Sequence, residues 1–390
     1  MKTKVLVLTS GNVYERRGFF NAVVCRTKYL REICDLEIDM LLLSTYEPWL
    51  VRTLRHTQKQ TRPKQWEVDG ICMHIDWFRF SLLDYLLNVK FHKDVILKKL
   101  HNRVILDQLK EYSFIIAHSQ ECGELAKLAK EKYGIPYSVT WHGSDIHSVP
   151  FVNSSVCATI KSVIEDADCN FFVSKALLDT SESITNKGVK RVLYNGYNIN
   201  FRKYSDEKRA LLKKLYGVQG KKVVVFAGNF LAVKNILTVP LIFQSIAEKV
   251  QNVEFWMIGG GKYFHQVEKM VKNLPIRLWG QQEPEVMPDF LNSSDVLILP
   301  SINEGLPLIV VEGLACGCNV VGSLVGGIPE VIGEENCVKL DDPKFVEKFA
   351  DKVVAYLKPK NQITQGLKPD FNWKKSAIKE LEVIKGIIGC

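Results

Sequence analysis

Short β-branched apolar runs alternate with longer amphipathic stretches along the chain, and the alternation starts twice. Uninterrupted apolar runs of this kind are typical of parallel strands with helices on both faces. The strand candidates of the first series are Lys4–Thr9, Leu36–Leu43, Ile71–Trp77, Phe114–His118, Tyr137–His142, Asn170–Val173 and Val189–Leu193. Those of the second series are Lys222–Ala227, Val253–Ile258, Ile276–Trp279, Val296–Leu299 and Asn319–Val321. The pattern predicts an α/β protein of two doubly wound parallel domains that face each other across a cleft, with ligands at the carboxyl ends of the strands.

The chain length agrees with this division, because 390 residues suit two domains of somewhat under about 200 residues each. A polar stretch from Tyr194 to Lys222 separates the two series and predicts a linker with the first helix of the second domain. We place the first domain at residues 1–196, the second at 197–370, and a separate final segment at 371–390. Helical periodicity from Trp373 to Ile388 predicts that this segment is a helix.

No secretory or membrane segment is expected at the amino terminus. The apolar run from Val5 to Leu8 is interrupted by Thr9 and Ser10, far short of the roughly 20 residues that a membrane span needs. The 10 cysteines are scattered and lack zinc-ligand spacing, which favours reduced thiols and a cytoplasmic protein without a metal site.

The net charge of +9 bears on partners, and much of the excess lies between Arg52 and Arg103, interleaved with aromatic and aliphatic residues. Such a region suits an anionic membrane surface, as in a peripheral protein at the inner face of the cell membrane. The alternative is a solvated basic face over an ordinary core, and the two interpretations stay open. Because no nucleic-acid-binding motif accompanies the charge, a nucleic-acid partner is not expected.

The most informative segment runs from Pro300 to Gly313, between a buried strand candidate and a helix for which Pro307 is a favourable first residue. The amides of Gly305 and Leu306, with the positive end of the helix dipole, would bind a diphosphate. Glu304 and Glu312 would instead accept hydrogen bonds from sugar and ribose hydroxyls. The alternative is an acidic turn leading into a helix with Glu312 on its exposed face.

This segment resembles glycosyltransferase family 4, a retaining family of the GT-B fold whose motif has two glutamates separated by seven residues. The matching residues are Glu304, Gly305, Pro307, Glu312, Ala315 and Gly317. The resemblance extends over most of residues 140–340, including Gly326–Glu330, whereas the first 110 residues match only in outline. It implies a nucleotide-sugar donor held by the second domain, an acceptor held by the first, and a final helix that crosses back to the first domain.

The resemblance also assigns roles to residues after other strands. Asn229 stands where the family commonly has an arginine, which leaves Lys234 as the main cation for the donor diphosphate. His142, in a His-Gly-Ser-Asp loop, would position and polarise the transferred sugar, and Gly280 and Gln281 would border the base.

The first glycine-rich loop of the family corresponds to the turn after the first strand. Gly11 and Gly18 bound this turn, and Arg16 and Arg17 stand within it in place of the usual double glycine. Either arginine could meet an anionic acceptor such as a lipid diphosphate, or be solvated.

We therefore expect a retaining hexosyl- or N-acetylhexosaminyl-transferase that moves a sugar from a nucleotide-diphosphate-sugar, UDP being favoured, to a glycan or lipid-linked acceptor in cell-surface polysaccharide or glycoconjugate synthesis. No Asp-x-Asp pair suits a bridging metal, so the reaction is expected to need neither metal nor cofactor. Two alternatives remain: a nucleotide-sugar epimerase of the same architecture, and an inactive scaffold that binds a membrane or partner protein.

Overall fold

The computed structural model of the chain describes residues 3–11, 18–46, 49, 53, 61–79, 81, 83–84, 86–87, 105–272, 274–358 and 365–389. The chain divides into two compact units. Unit 1 comprises Met1–Asn195 together with Trp373–Cys390, and unit 2 comprises Gly196–Asn372. Within the described residues, we find no helix that combines the length and apolarity needed to span a bilayer.

Unit 1 is built on an eight-stranded sheet with the order β3-β4-β2-β1-β5-β6-β7-β8. Its strands are β1 (Lys4–Ser10), β2 (Glu37–Tyr46), β3 (Gln65–Val68), β4 (Ile71–Arg79), β5 (Phe114–His118), β6 (Tyr137–Trp141), β7 (Cys169–Phe172) and β8 (Lys190–Val192). All neighbouring strands are parallel except β3 and β4, which form an antiparallel hairpin at one edge. The strand order reverses between β1 and β5, and this reversal is the switch point at which doubly wound sheets bind ligands.

The described helices of unit 1 cover the sheet and include the end of the chain. They are α1 (Gly18–Ile33), α2 (Ile105–Gln108), α3 (Gln120–Tyr133), α4 (Ser144–His147), α5 (Val149–Val152), α6 (Ser154–Asp166), α7 (Lys175–Glu182) and, after unit 2, the final helix (Trp373–Ile388). The core between α1, the final helix and strands β1, β2, β4 and β5 is aliphatic and aromatic. β5 and β6 are buried along their whole length, because helices pack on both faces of the central sheet.

Unit 2 has a six-stranded parallel sheet with the order β11-β10-β9-β12-β13-β14. The strands are β9 (Lys222–Ala227), β10 (Val253–Ile258), β11 (Ile276–Gly280), β12 (Val296–Leu299), β13 (Asn319–Ser323) and β14 (Cys337–Val338). Numbered within the unit, this order is 3-2-1-4-5-6, the order of the Rossmann fold. The switch point lies between β9 and β12, whose registered pairs are Val224–Val296 and Val225–Leu297.

Longer helices connect these strands. They are α8 (Asp206–Leu215), α9 (Val239–Ala247), α10 (Phe264–Val271), α11 (Met287–Ser293), α12 (Leu308–Ala315), α13 (Ile328–Ile332) and α14 (Phe345–Leu357), so the final helix of unit 1 is α15. Short 3-10 turns occur at Ala232–Lys234 and Pro284–Val286, among others.

α15 packs on α1, and a buried ion pair lies at their contact. The guanidinium Nε of Arg26 on α1 lies 3.9 Å from Oε2 of Glu380 on α15, and both side chains are almost completely buried. Arg26 also donates to Thr140 Oγ1 and Asn195 Oδ1, and Ser376 on α15 donates to the carbonyl of Tyr194. The bonds of Arg26 attach α1 to β6 and to the segment after β8, and the bond of Ser376 attaches the 16-residue α15 to that same segment.

Candidate active site

Most of the predicted donor residues of unit 2 follow the carboxyl ends of β9 and β12, the two strands that flank its switch point, whereas Gly280 and Gln281 lie at the end of β11. After β9 the chain passes through Gly228 and Asn229 into the 3-10 turn that ends at Lys234. After β12 it passes through the loop 300–307, which carries Glu304, and enters α12. The backbone of the two loops is joined by a bond from the Ile302 amide to the Val233 carbonyl, 2.8 Å long.

Lys234 and Glu304 form an ion pair across these two loops. Lys234 Nζ lies 2.5 Å from Glu304 Oε1, with the lysine side chain 21% and the glutamate side chain 10% exposed. The buried hydroxyl of Ser301 donates to the same carboxylate oxygen over 2.7 Å. Oε1 of Glu304 therefore accepts hydrogen bonds from both Lys234 and Ser301. The other protons of the Lys234 ammonium and the Oε2 atom of Glu304 can bind further partners.

A glycine turn fixes the backbone of Glu304. The loop at Gly326 and Gly327 lies so close that a Cβ at position 326 would stand 1.8 Å from the carbonyl oxygen of Glu304, and Gly326 also has a φ of +50°. The Gly327 amide donates to the carbonyl of Gly305 over 2.9 Å. Position 326 therefore needs glycine, because any side chain there would displace the Glu304 loop.

Glycines also end the three strands on the other side of the switch point. The Gly228 amide donates to the Ile258 carbonyl, and the Gly259 amide donates to the Gly280 carbonyl over 2.7 Å. A Cβ at position 259 would stand 2.0 Å from the carbonyl oxygen of Gly228, so the ends of β9 and β10 are in backbone contact there. Asn229, just after β9, is exposed, and so is Gln281, just after β11.

The helix after the Glu304 loop begins one residue later than predicted. Pro307 has an extended backbone, with ψ at 117°, and is the N-cap of α12, whose first residue is Leu308. The proline therefore precedes the helix. In the described residues the amides of Gly305 and Leu306 donate to no backbone carbonyl, and their binding of an anion stays a prediction.

Glu312 lies in the middle of α12 and is partly buried. Among the described residues its carboxylate has no hydrogen-bond or ion-pair partner, and burial raises its pKa to about 7. The alternative of Glu312 on a fully exposed helix face is therefore wrong. A half-buried carboxylate without a partner is suited to a ligand that donates hydrogen bonds.

His142 lies in unit 1, directly after β6, and is partly buried. Asp145 holds its loop: the carboxylate accepts from the Gly143 amide over 2.9 Å and from the His142 amide over 3.4 Å. The ring packs edge-on against Phe19 with centroids 4.7 Å apart, and its Nε2 lies 3.0 Å from Nδ1 of His118. Burial, with a smaller contribution from the charge of Arg26, lowers the pKa of His142 well below its usual value, so the ring is neutral near pH 7.

The predicted acceptor loop of unit 1 is only partly described. Gly11 follows β1 with its amide bonded to the Leu43 carbonyl, and Gly18 is the exposed first residue of α1. Arg16 and Arg17 lie outside the described residues, as do most of the basic residues between Arg52 and Arg103.

Sequence reasoning missed two residues in these sites, His118 and Ser301. His118 is the last residue of β5, which lies next to β6 in the sheet. The predicted strands Phe114–His118 and Tyr137–His142 both end in histidine, and this was a signal that the two histidines lie close together. Ser301 was noted only as part of the family pattern, and its bond to Glu304 follows from its position three residues earlier in the same loop.

Comparison with known proteins gives the same family as the motifs. Residues 208–370 match the family model of glycosyl transferases group 1. The N-acetyl-alpha-D-glucosaminyl L-malate synthase of Bacillus anthracis is 32% identical over 241 residues, which are 60% of this chain and 62% of that protein. The chain thus matches about three fifths of that relative. The putative teichuronic acid biosynthesis glycosyltransferase TuaC of Bacillus subtilis (strain 168) is 24% identical over 328 residues, 82% of this chain and 80% of that protein.

Solved structures resemble the whole chain. HepE of Anabaena, crystallised with UDP and glucose, has a TM-score of 0.68 and 16% identity, with 99% of this chain and 98% of that chain covered. Sucrose-phosphate synthase of Thermosynechococcus elongatus has a TM-score of 0.72 and 15% identity, and all of both chains is covered. At this identity the likeness concerns the fold, which is GT-B. Residues 208–370 thus resemble glycosyl transferases of group 1, and the chain as a whole shares the GT-B fold.

Proposed function

We propose that the protein is a retaining glycosyltransferase that uses a UDP-sugar donor and transfers a hexosyl or N-acetylhexosaminyl group to a glycan or lipid-linked acceptor. The observation that carries this proposal is the Lys234–Glu304 pair at the switch point of a group 1 domain. The choice of UDP is supported by the HepE structures, which are complexes with UDP and glucose and with UDP-glucose.

In the proposed reaction the donor diphosphate gains charge as the glycosidic bond breaks. Lys234, with the amides of Gly305 and Leu306, stabilises that charge, and fixed donors of this kind act without reorganisation. Glu304 accepts hydrogen bonds from hydroxyls of the transferred sugar through the oxygen that Lys234 and Ser301 leave free. Glu312 accepts from the ribose diol.

The ion pair also has a role before the donor arrives. Because Lys234 and Glu304 hold each other, both side chains are already fixed where diphosphate and sugar meet. Asn229 stands beside them without charge, so in this proposal the leaving group relies on one cationic side chain and on backbone amides. Neither a metal ion nor a cofactor has a role in this scheme.

Substitution of Glu304 tests the proposal. We expect Glu304→Ala to lower turnover by at least about 100-fold, since fixed groups at the reacting centre contribute on this scale, while the melting temperature stays within a few degrees. The matched control is Glu347→Ala, an exposed glutamate on α14 of the same unit, which should leave turnover unchanged. Turnover of Glu304→Ala equal to that of the wild type would contradict the assignment.

The two alternatives are separated by binding and by donor consumption. A panel of UDP- and GDP-sugars should raise the melting temperature of an active enzyme, because ligand at 100 times its dissociation constant adds about 2.7 kcal/mol. An inactive scaffold without a nucleotide site would show no shift. An epimerase would consume donor without acceptor, whereas the proposed transferase needs the acceptor.

A further inference from the structure

The ring of His142 is in polar contact with His118, which comes from the adjacent strand of the unit 1 sheet. β5 and β6 are parallel neighbours, and each ends at the same edge next to its histidine. His118 is 1% exposed, and its Nδ1 lies 3.0 Å from Nε2 of His142. The ring centroids are 5.3 Å apart with a tilt of 40°, so the contact is a hydrogen bond between ring edges and not a stack.

Both rings are uncharged in this setting. Burial lowers the pKa of His118 well below its usual value, and the neighbouring His142 and the Arg26 guanidinium lower it further. Among the described residues, the charged or titratable groups next to the pair include Arg26 on α1, Cys122 on α3 beside the His118 backbone and, on the loop that carries His142, Asp145, which accepts two backbone amides. A neutral imidazole has one N–H and one lone pair, so in this hydrogen bond one ring donates and the other accepts, which couples the tautomers of the two rings.

The consequence for His142 is geometric. Its Nε2 is occupied by His118, Phe19 covers the ring from the side, and Asp145 holds the backbone. Of the two ring nitrogens of His142, only Nδ1 remains for a ligand, and its protonation is coupled to the tautomer of His118.

We propose that His118 is a positioning residue: it binds Nε2 of His142, fixes the tautomer and orientation of that ring, and leaves Nδ1 as the single nitrogen that contacts the transferred sugar. The contact with the sugar rests on the proposed function, whereas the fixed tautomer does not. His118 itself touches neither substrate nor reacting atoms in this proposal.

The tautomer is measurable in the wild-type protein without any substrate. In ¹⁵N-histidine-labelled protein near pH 7, a ring fixed in one tautomer gives two well-separated nitrogen shifts, whereas exchange between tautomers averages them. The signals of His142 are assigned by their loss in His142→Gln. We expect one fixed tautomer for His142 and one for His118. Averaged shifts at His142 would overturn the proposal, whatever the activity of the protein.

Two substitutions at His118 test its effect on catalysis. Asn places an amide group near the position of Nδ1 and can keep the bond to His142, whereas Phe keeps the ring volume and removes the bond. We expect His118→Phe to lower kcat by about 10- to 100-fold, as loss of an orienting partner does elsewhere, with KM for the donor little changed. In the same variant the nitrogen shifts of His142 should become averaged.

His118→Asn should keep kcat within about threefold of the wild type and keep the fixed tautomer, since the hydrogen bond survives. Equal losses in the Asn and Phe variants, with unaltered His142 shifts in both, would assign His118 a packing role only and overturn the proposal. If no variant and no wild-type preparation transfers sugar, the proposed function fails, while the shifts of His142 still decide the tautomer.

Discussion

Glu312 illustrates at the scale of one residue how burial prepares a group for a ligand. Its carboxylate has no partner among the described residues, and burial raises its pKa to about 7. The group is therefore partly protonated at neutral pH and fully charged only above it. A charged acceptor binds hydroxyls more strongly than a neutral one, by about 1 kcal/mol.

We expect the affinity for UDP-glucose to fall about fivefold between pH 8 and pH 6, because Glu312 gains its proton in this window. UDP-glucose is the suitable probe, since its phosphates are esterified on both sides and lack the pKa near 6 of a phosphate monoester. Calorimetric titration at several pH values gives the measurement. In Glu312→Gln the affinity should be weaker and independent of pH, and a fivefold change that persists in this variant would exclude Glu312 as its cause.

The same shift has a consequence for stability with a defined sign. The folded-state pKa is above the ordinary value of 4.5, so the stabilising contribution of Glu312 is complete below about pH 4.5 and is lost as the pH rises through about 7. From pH 5 to pH 8 the wild type should therefore lose about 1–3 kcal/mol of stability that Glu312→Gln does not lose, so the free energy of unfolding of the variant minus that of the wild type rises by this amount. A relative stability that does not change over this range would contradict the shifted pKa.

Metal independence is a separate expectation for the diphosphate site. No group of three His, Cys, Asp or Glu side chains suited to a metal ion is found within the described residues. The proposal gives the charge of the leaving group to Lys234 and to amides, so saturating chelator should leave turnover unchanged. Loss of turnover that Mg²⁺ or Mn²⁺ restores would show that an ion neutralises the diphosphate.

The role of Lys234 as the cation for the leaving group is tested by substitution. Lys234→Met should lower kcat about 100- to 1,000-fold. Lys269→Met, at an exposed lysine on α10, is the control and should leave kcat unchanged.

At the scale of elements, the contact of α1 with α15 depends on the buried Arg26–Glu380 pair. Neither carboxylate oxygen of Glu380 accepts a hydrogen bond within the described residues, and burial raises the pKa of this carboxylate. Electrostatic attraction between Arg26 Nε and Glu380 Oε2, which lie 3.9 Å apart, stabilises the pair, and the hydrogen bonds of Arg26 to Thr140 and Asn195 fix the guanidinium. Removal of one partner would leave a buried charge without compensation.

We expect Arg26→Met and Glu380→Leu each to lower the free energy of unfolding by about 3–5 kcal/mol, and the double variant Arg26→Met/Glu380→Leu to lose less than the sum of these two losses. Denaturant unfolding of the three variants gives the coupling. Lys385→Ala on the same helix is the control, because its pair with Asp35 is exposed and should contribute less than about 1 kcal/mol. Additive losses in the double variant would mean that the two charges do not stabilise each other.

The elements themselves were largely predictable from periodicity. The predicted ranges for β5, β9, β10 and β12 coincide with the observed strands, and so does the range of α15, whose apolar side contains the buried Ala377, Leu381 and Ile384. β3 and β14 were missed, since a four-residue edge strand and a two-residue strand carry too short a pattern to detect.

Sequence motifs named candidate residues, whereas the contacts between their side chains come from tertiary packing. Glu304 and Glu312 belong to one motif and Lys234 to another, 70 positions before Glu304, and their ion pair was not predicted. The His118–His142 bond joins residues 24 positions apart, and the Arg26–Glu380 pair joins the two ends of the chain. Such pairs follow from strand order and helix packing, which a single sequence does not specify.

At the scale of the whole molecule, the chain has two sheets that both reverse their strand order next to the first strand of the unit. Each reversal leaves an edge of the kind at which doubly wound sheets bind ligands. Lys234 and Glu304 lie at this edge in unit 2, and Ser10, Ser119 and the two histidines lie at it in unit 1. Ser119, between β5 and α3, has a φ of +81°, a strained conformation for a residue other than glycine and one that is common near functional sites.

The charge of the molecule leads to the last prediction, which concerns a membrane. Of the net charge of +9, much comes from the segment Arg52–Arg103, whose basic residues lie mostly outside the described part of the chain. Near an anionic surface each Lys or Arg contributes about 1 kcal/mol, screened within roughly 8–10 Å at physiological salt. We propose that this segment binds the anionic face of a membrane and brings the enzyme to a lipid-linked acceptor.

Co-sedimentation with liposomes tests this proposal directly. Vesicles with anionic lipid should bind the protein at low salt and release it at high salt, because attraction between exposed charges is screened. Charge reversal at Lys90, Lys93, Lys98 and Lys99 should weaken this binding and leave the affinity for UDP-glucose unchanged, since the donor residues belong to unit 2. Reversal of four lysines in unit 2, Lys208, Lys214, Lys269 and Lys344, changes the net charge equally and is the matched control. Equal binding of the two variants would mean that total charge and not this segment attracts the protein, and absence of binding to anionic vesicles would point to a soluble acceptor.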